Sequence, residues 1–271
     1  MAKTIFITGA SSGIGRETAK LFQSRGWNVV ATMRSPEKET ELSQLENVLV
    51  TKLDVTDVAS IKSAVEASIA KFSGIDVLIN NAGYGAIGPL EAFSREEMIR
   101  QFNTNVIGLL DVTRGVLPHF RENKKGIIIN VSSMGGLFAF PLFSLYSGSK
   151  FAVEGISEAL SYEVAQFGGV VKLVEPGSTA TEFTGSSLTF MNDESLPEYQ
   201  NIVGALTSAM PEVNKTASSP NVIAEVIFEA ATDGKDQLRY AAGDDSKYMI
   251  GKRKAQDDET FIGGMKVQFG L

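Results

Sequence analysis

Thr8-Gly9-Ala10-Ser11-Ser12-Gly13-Ile14-Gly15 follows the apolar run Thr4–Thr8 and leads into a helical pattern that continues to Arg25. A strand, a glycine-rich turn and a helix in that order gather backbone N–H groups at a helix N-terminus, where a phosphate can approach without meeting side chains. Three spaced glycines are a weak signal alone; their place after the first strand of an α/β pattern gives them weight. Outward from this loop, short runs rich in β-branched residues recur at Asn28–Met33, Val48–Leu53, Val77–Asn80, Gly126–Ser132, Val170–Val174 and Leu238–Ala241. They are continuously apolar, as expected of strands buried on both faces of a parallel sheet. Helical periods lie between them: Val58, Ile61, Val65, Ile69 and Phe72; Met98, Phe102, Val106, Leu109, Leu110 and Leu117; Phe151, Ile156, Leu160 and Val164; Val222, Val226 and Ile227. The alternation predicts one α/β domain over residues 1–271, a parallel sheet of about seven strands with helices on both faces. The segment 178–215 breaks the rhythm, without a clear period and with Pro197 and Pro211. A loop-like insert of that length is a candidate lid.

The chain has 271 residues, 43% hydrophobic and 21% charged, with a net charge of −7. An acidic chain without a basic tract is a poor partner for nucleic acid or an anionic membrane. The absence of Cys, with His119 as the one His, excludes disulfide scaffolds, thiol nucleophiles and multi-His metal sites. Acid/base chemistry must then use carboxylate, Tyr, Lys or water. The longest run free of charge and hydrogen-bonding side chains, Met134–Phe143, is too short to span a bilayer, and the N-terminus carries no signal-peptide pattern. The expected location is the cytoplasm.

Two other readings of the glycine loop are open to test. Gly9-Ala10-Ser11-Ser12-Gly13 fits the G-x-S-x-G nucleophile elbow, and a hydrolase order of Ser11, an Asp and His119 is formally available, though no oxyanion motif accompanies it. A Walker loop is excluded because no Gly-Lys-Ser/Thr follows. For a dinucleotide, the end of the second strand reads Ala31-Thr32-Met33-Arg34, with no acid before Glu37 to bind ribose hydroxyls. Arg34 can fork onto a 2′-phosphate instead, which favours NADP(H) over NAD(H).

Tyr146 and Lys150 stand four residues apart, on one face of a helix. A nearby ammonium favours the phenolate and lowers a Tyr pKa, which makes Tyr usable as an acid/base. Tyr248 and Lys252 repeat the spacing, but only Tyr146 follows a strong strand, one that ends in Ser132-Ser133. Strand carboxyl ends are where open α/β sheets place chemistry, and a Ser hydroxyl there can bind a carbonyl oxygen as charge develops on it.

With these segments in place the chain resembles the classical branch of the short-chain dehydrogenase/reductase family over nearly its whole length. Thr8–Gly15 resembles the family's T-G-x3-G-x-G loop, Leu53-Asp54-Val55-Thr56 its adenine-side turn, and Asn80-Asn81-Ala82-Gly83 its N-N-A-G motif. Asn105 sits where the family carries its active-site Asn, Ser133 stands at the usual offset before Tyr146, and Pro176–Thr181 resembles the P-G-x-V-x-T segment at the nicotinamide, with Thr179 in place of Val. The resemblance implies a Rossmann-type doubly wound sheet and a catalytic set of Asn105, Ser133, Tyr146 and Lys150. Tyr146 would exchange a proton with the substrate oxygen, Lys150 would lower its pKa and hold the nicotinamide ribose, Ser133 would orient the carbonyl, and Asn105 would anchor a water linking Lys150 to solvent. Hydride would pass directly between nicotinamide and substrate without a metal. The dinucleotide would lie on Gly9, Ser11, Ser12, Gly13, Ile14, Gly15, Arg34, Asp54, Val55, Asn81, Ala82, Gly83, Tyr146, Lys150, Pro176, Gly177 and Thr181. Ser12 stands where many NADP-type members carry a basic residue, which weakens the NADP(H) preference without reversing it. Asn80 reads as a structural hydrogen-bonding residue.

The expected walls of the pocket, Met134–Phe143 and Tyr84–Leu90, are apolar, and the lid adds Phe183, Leu188, Phe190, Met191, Tyr199, Ile202 and Leu206. This points to a hydrophobic ketone, aldehyde or secondary alcohol as substrate. A non-catalytic dinucleotide-binding regulator on the same fold is the alternative, and a Ser hydrolase a remote third reading. The family resemblance also implies a homodimer or homotetramer paired through helices at about 94–120 and 146–167.

Overall fold

The computed structural model describes residues 2–181 and 187–271, with Asn214 by its backbone alone; Phe183 of the expected lid lies outside the described residues. In chain order the elements are β1 (Thr4–Thr8), α1 (Gly13–Ser24), β2 (Asn28–Met33), β3 (Val48–Lys52), α2 (Val58–Phe72), β4 (Val77–Asn80), β5 (Gly85–Ile87), α3 (Arg95–Phe102), α4 (Gly108–Asn123), β6 (Gly126–Val131), α5 (Ser144–Val164), β7 (Gly169–Pro176), β8 (Leu188–Phe190), α6 (Gln200–Lys215), α7 (Pro220–Thr232), β9 (Arg239–Ala242), α8 (Asp244–Ala255) and α9 (Asp258–Gln268).

Seven strands form a parallel sheet in the order β3-β2-β1-β4-β6-β7-β9, an α/β Rossmann-type arrangement. Alternation along each strand sorts its side chains between two cores, because successive Cβ atoms point to opposite faces. Ile5, Ile7, Val29, Ala31, Ile79 and Ile129 pack with Phe22 of α1 and Ile223 and Ile227 of α7. Phe6, Val30, Leu78 and Ile128 pack with α2, α4 and α5. The strand order reverses direction between β1 and β4, which opens a crevice at their carboxyl ends.

A buried polar network fixes α4 and α5 to the sheet. Asn80 Nδ2 donates to Thr113 Oγ1 at 3.0 Å and to Asn130 Oδ1 at 2.9 Å, and Asn130 Nδ2 donates to Ser157 Oγ at 2.8 Å. Asn80 is structural, as its position implies. Between α3 and α4 the chain makes a π-helical turn, Asn103–Ile107. The extra residue in this turn rotates the buried face, so Phe102 and Ile107 are exposed while Val112, Val116 and Phe120 fill the core. Phe151 and Val222, counted on buried faces by periodicity, are exposed as well.

The segment 178–215 is not loop-like throughout. β8 pairs with β5 in a separate two-stranded sheet, and α6 buries Val203 and Leu206. Three-residue strands carry no readable period, and Gly204 and Pro211 blur that of α6. Above the carboxyl edge α6, α8 and α9 join a third apolar cluster. Among the described residues no helix is long and apolar enough to cross a membrane.

At the opposite edge Lys172 is buried within β7. Its Nζ lies 2.6 Å from Asp233 Oδ1 and 3.0 Å from the Tyr240 hydroxyl, which itself donates to Asp233 Oδ2 at 2.7 Å. Burial opposes the Asp233 charge, but the Lys172 ammonium, the Lys235 N–H and the Tyr240 hydroxyl outweigh it and hold the carboxyl at about 2. An unfolded Asp ionises near ~3.9, so this stabilisation is whole above about pH 5 and drains away as pH falls toward 2. Asp233→Asn is expected to cost about 2–3 kcal/mol at pH 7 in urea melts, with the gap to wild type narrowing by about pH 3.5. An equal gap at both pH values would show that the Asp233 charge contributes nothing.

Candidate active site

The glycine loop is held by the ends of two strands. Thr8 Oγ1 accepts from the N–H groups of Asn81 and Ala82, each at 3.0 Å, and Asn81 Nδ2 donates to the carbonyls of Thr8 and Gly9, also at 3.0 Å. Gly9 has φ +69°, and a Cβ on Gly15 would stand 2.3 Å from the Gly9 carbonyl oxygen. Only glycine permits that approach. Ser12, the N-cap of α1, makes no side-chain cap, and the first turn holds no acid. The resulting cradle of unshielded N–H groups fits a dinucleotide pyrophosphate.

Arg34 is exposed at the end of β2 and makes no hydrogen bond or ion pair among the described residues. It lies close enough to Asp54 to help hold that carboxyl low: burial opposes the charge, and the Thr56 N–H and hydroxyl, with Arg34 and Lys52, outweigh it. Arg34 and Asp54 therefore share one corner of the crevice. Val55 is a different matter, because its side chain is buried against Gly108, where a Cβ would come within 2.7 Å. Val55 can offer a ligand its backbone alone. Arg16, which sequence reasoning passed over, donates from Nε to the Ser11 carbonyl at 3.1 Å and pairs with Glu39 and Glu41, tying the loop to the turn after β2.

On the far side, the Asn105 carboxamide clamps the backbone of Tyr84, accepting from its N–H at 3.1 Å and donating to its carbonyl at 2.9 Å. The second Nδ2 hydrogen goes to Ser149 Oγ at 3.1 Å, so both donors of Asn105 are spent on structure. Gln101, one turn earlier and fully buried, bonds the same loop through the Ala86 N–H at 2.7 Å and the Tyr84 carbonyl at 3.0 Å. The sequence signal for Gln101 was its place one turn from Asn105 on a helix read by its apolar residues.

Ser133, Tyr146 and Lys150 meet at the carboxyl end of β6. Ser133 Oγ accepts from the Gly135 N–H at 3.0 Å and is hydrogen-bonded to the Tyr146 side chain. Lys150 Nζ donates to the Val131 carbonyl at 2.9 Å and lies 5.8 Å from the centre of the Tyr146 ring. Burial pushes the Tyr146 phenol up, partly offset by Ser133, and pulls the Lys150 ammonium down to about 8. The expected lowering of Tyr146 is not found, because desolvation dominates here.

Pro176 and Gly177 close the opposite wall. Asp245, also missed from sequence, accepts from the Ser178 N–H at 2.7 Å, and a Cβ on Gly177 would strike its carboxyl. The side chain of Thr181 reaches 3.1 Å from the Cβ position of Gly13, so this wall meets the glycine loop. The hydrolase arrangement fails on geometry. His119 Nε2 accepts from the Ile75 N–H at 3.0 Å, just before β4, whereas Ser11 follows the carboxyl end of β1. In a parallel sheet these are opposite edges, on the order of 15 Å apart for strands of four or five residues.

A model of the short chain dehydrogenase family matches residues 3–191. Two uncharacterized oxidoreductases of Schizosaccharomyces pombe are each 47% identical over 239 residues, covering 88% of this chain and all of the relative. A short-chain dehydrogenase from Streptomyces avermitilis has a similar solved structure, with a TM-score of 0.84, 34% identity, and coverage of 94% of this chain and 93% of the other. The structure of ElxO with NADP bound gives a TM-score of 0.74 at 27% identity, covering 94% and 100%. The chain belongs to the short-chain dehydrogenase family and is an oxidoreductase of that family.

Gly15→Ala is expected to weaken nicotinamide-dinucleotide binding at least about ten-fold, since the added methyl meets backbone on a loop that cannot retreat. Isothermal titration of the folded variant measures this, and native affinity would mean the loop is not the phosphate cradle.

Proposed function

We propose that the chain is an NADP(H)-dependent oxidoreductase that interconverts a hydrophobic ketone or aldehyde with its alcohol, using Tyr146 as general acid/base. The observation that carries this reading is the hydrogen-bonded Ser133–Tyr146 pair beside buried Lys150, at the edge that holds the glycine cradle. A bound nicotinamide would supply or take up hydride. The chain's own part is the proton. With its phenol pushed up by burial, Tyr146 is protonated at neutral pH and gives its proton to a carbonyl oxygen that Ser133 orients. The Lys150 ammonium then stabilises the phenolate left behind.

For the dinucleotide, the N–H groups of Gly9 and of Ser11 to Gly15 would take the pyrophosphate, Asp54 and Val55 the adenine side, Asn81 to Gly83 the ribose side, and Pro176 to Thr181 the nicotinamide. Arg34, free to turn, would fork onto a 2′-phosphate. The complex of ElxO with NADP supports that preference. The substrate reading rests on the apolar side chains that pack beside Tyr146, with Ile87, Met134, Phe138, Leu206 and Phe261 among them. The segment 178–215 acts in this reading as the lid, its β8 strand paired to the loop after β4. Exposed Phe102 and Ile107 beside α4, and Phe151 and Tyr162 on α5, form the face on which a second copy would pack. A cytoplasmic location belongs to the same reading.

Tyr146→Phe should lower turnover about 10²–10⁴-fold on bulky apolar ketones while NADPH affinity changes less than about three-fold. Near-normal turnover, or preference for small charged keto acids in the native protein, would sink the reading. Reduction should be level near neutrality and fall above about pH 8 as Lys150 loses its proton. Oxidation should rise with pH, because it needs the raised phenol deprotonated. Arg34→Ala should weaken NADPH about 10–100-fold and leave NADH unchanged. Equal losses for both would overturn the NADP(H) preference.

A further inference from the structure

The helix face that carries Tyr146 and Lys150 continues one turn on to Glu154 and another to Glu158. Glu154 is only 4% exposed, and Glu175, at the end of β7, 2%. Arg239 of β9 reaches both carboxylates: its Nε lies 2.9 Å from Glu154 Oε2 and 3.6 Å from Glu175 Oε1, and its Nη2 donates to Glu158 at 2.7 Å. The cluster is incompletely satisfied. Glu154 Oε1, Glu175 Oε1 and Ser132 Oγ each lack a well-formed hydrogen bond, although the Ser132 hydroxyl lies against the Glu154 carboxyl. Gly136 seals the space, since a Cβ there would stand 2.9 Å from Ser132 Oγ and 3.0 Å from Glu154 Cγ. Charge reaches Glu154 from Lys150 on its own helix and Arg239 on β9, and reaches Glu175 from Glu154, Arg239 and Lys254 of α8. A buried, half-satisfied carboxylate one helical turn from the active-site lysine is costly to keep for packing alone.

We propose that Glu154 is a positioning residue for the proton chemistry of Tyr146: its buried carboxylate, held by Arg239 and Ser132, keeps the Lys150 ammonium charged against the cost of burial. The catalytic consequence rests on the reductase reading above; the hold on Lys150 does not. Burial draws Lys150 down to about 8, and the opposing pull comes from Glu154. Glu175 is pushed up to about 7, by burial first and then by Glu154, so below that pH it is neutral and leaves Arg239 to Glu154 and Glu158. Neither carboxylate belongs to the proposed cofactor cradle.

The test is an NMR titration of the full chain carrying ¹³Cε-labelled lysine, with the Lys150 resonance identified by its loss in Lys150→Met. Glu154→Gln should lower the Lys150 midpoint by about one pH unit, whereas Glu154→Asp, shorter but still charged, should stay within about 0.3 unit of native. Ser132→Ala, which removes one hydroxyl from beside Glu154, should lower the midpoint by a smaller amount and serves if the Gln variant does not fold. An unmoved midpoint in the Gln variant overturns the inference, and so does an Asp variant that moves as far as Gln, since shape and not charge would then decide. In Glu154→Gln the reduction rate at pH 9 relative to pH 7 should drop a further five-fold or so, following the lower midpoint. A moved midpoint with a native rate profile leaves the hold on Lys150 standing and counts instead against Lys150 in the proposed reaction.

Discussion

Because all seven strands of the main sheet run one way, every carboxyl end falls on a single edge, and helices cover both faces. The groups that hold the crevice open are few. The Thr8 hydroxyl and the Asn81 carboxamide lock the ends of β1 and β4 together at the point where strand order reverses. The glycine loop can then lie so close to β4 that Gly15 has no room for a Cβ. One layer deeper, the Asn80–Asn130–Ser157 network seats α5 on β6, which puts Tyr146 and Lys150 level with the same edge. The glycine loop and the Tyr146–Lys150 pair are thus positioned by two polar locks on adjoining strands.

Burial sets the character of the pair. An exposed lysine beside a tyrosine would favour phenolate, and the spacing of Tyr146 and Lys150 suggests that outcome. In this pocket desolvation works on both groups, raising the phenol and lowering the ammonium. The resting state of the chain by itself is therefore a protonated Tyr146, suited to giving a proton, beside a Lys150 whose charge is easily lost. A charge so placed needs support, and Val131 supplies only a carbonyl dipole. The nearest negative group on the same helix face is Glu154.

The main sheet was legible because a parallel sheet imposes continuous apolar runs: β1, β2 and β4 begin and end where the residue pattern says they should. What escaped the pattern escaped for physical reasons. β5 and β8 are too short to show a period, and the π-turn at Asn103–Ile107 shifts the buried face within what reads as one long helix. In the candidate site, motif and spacing single out Ser133, Tyr146, Lys150, Asn105 and the glycine loop. They do not single out the neighbours Gln101, Asp245, Arg16 and Glu154, because a polar residue on a helix reads as solvated until its partners are known.

The sequence of β7 carries a further signal of its own. Val170-Val171-Lys172-Leu173-Val174-Glu175 is a strand with both faces covered, so its Lys and Glu had to be buried and had to be paired. The two then part ways. Lys172 is met by Asp233 and Tyr240 in a closed triad at the far edge from the crevice, as scaffold charges are. Glu175, at the carboxyl end of the same strand, shares Arg239 with Glu154, and its Oε1, 3.6 Å from the Arg239 Nε, makes no hydrogen bond. Within one strand, one buried charge is closed off by its partners, whereas the other lies in a cluster that keeps hydrogen-bonding capacity to spare, and it is on that second cluster, through Glu154, that the proposed hold on Lys150 draws.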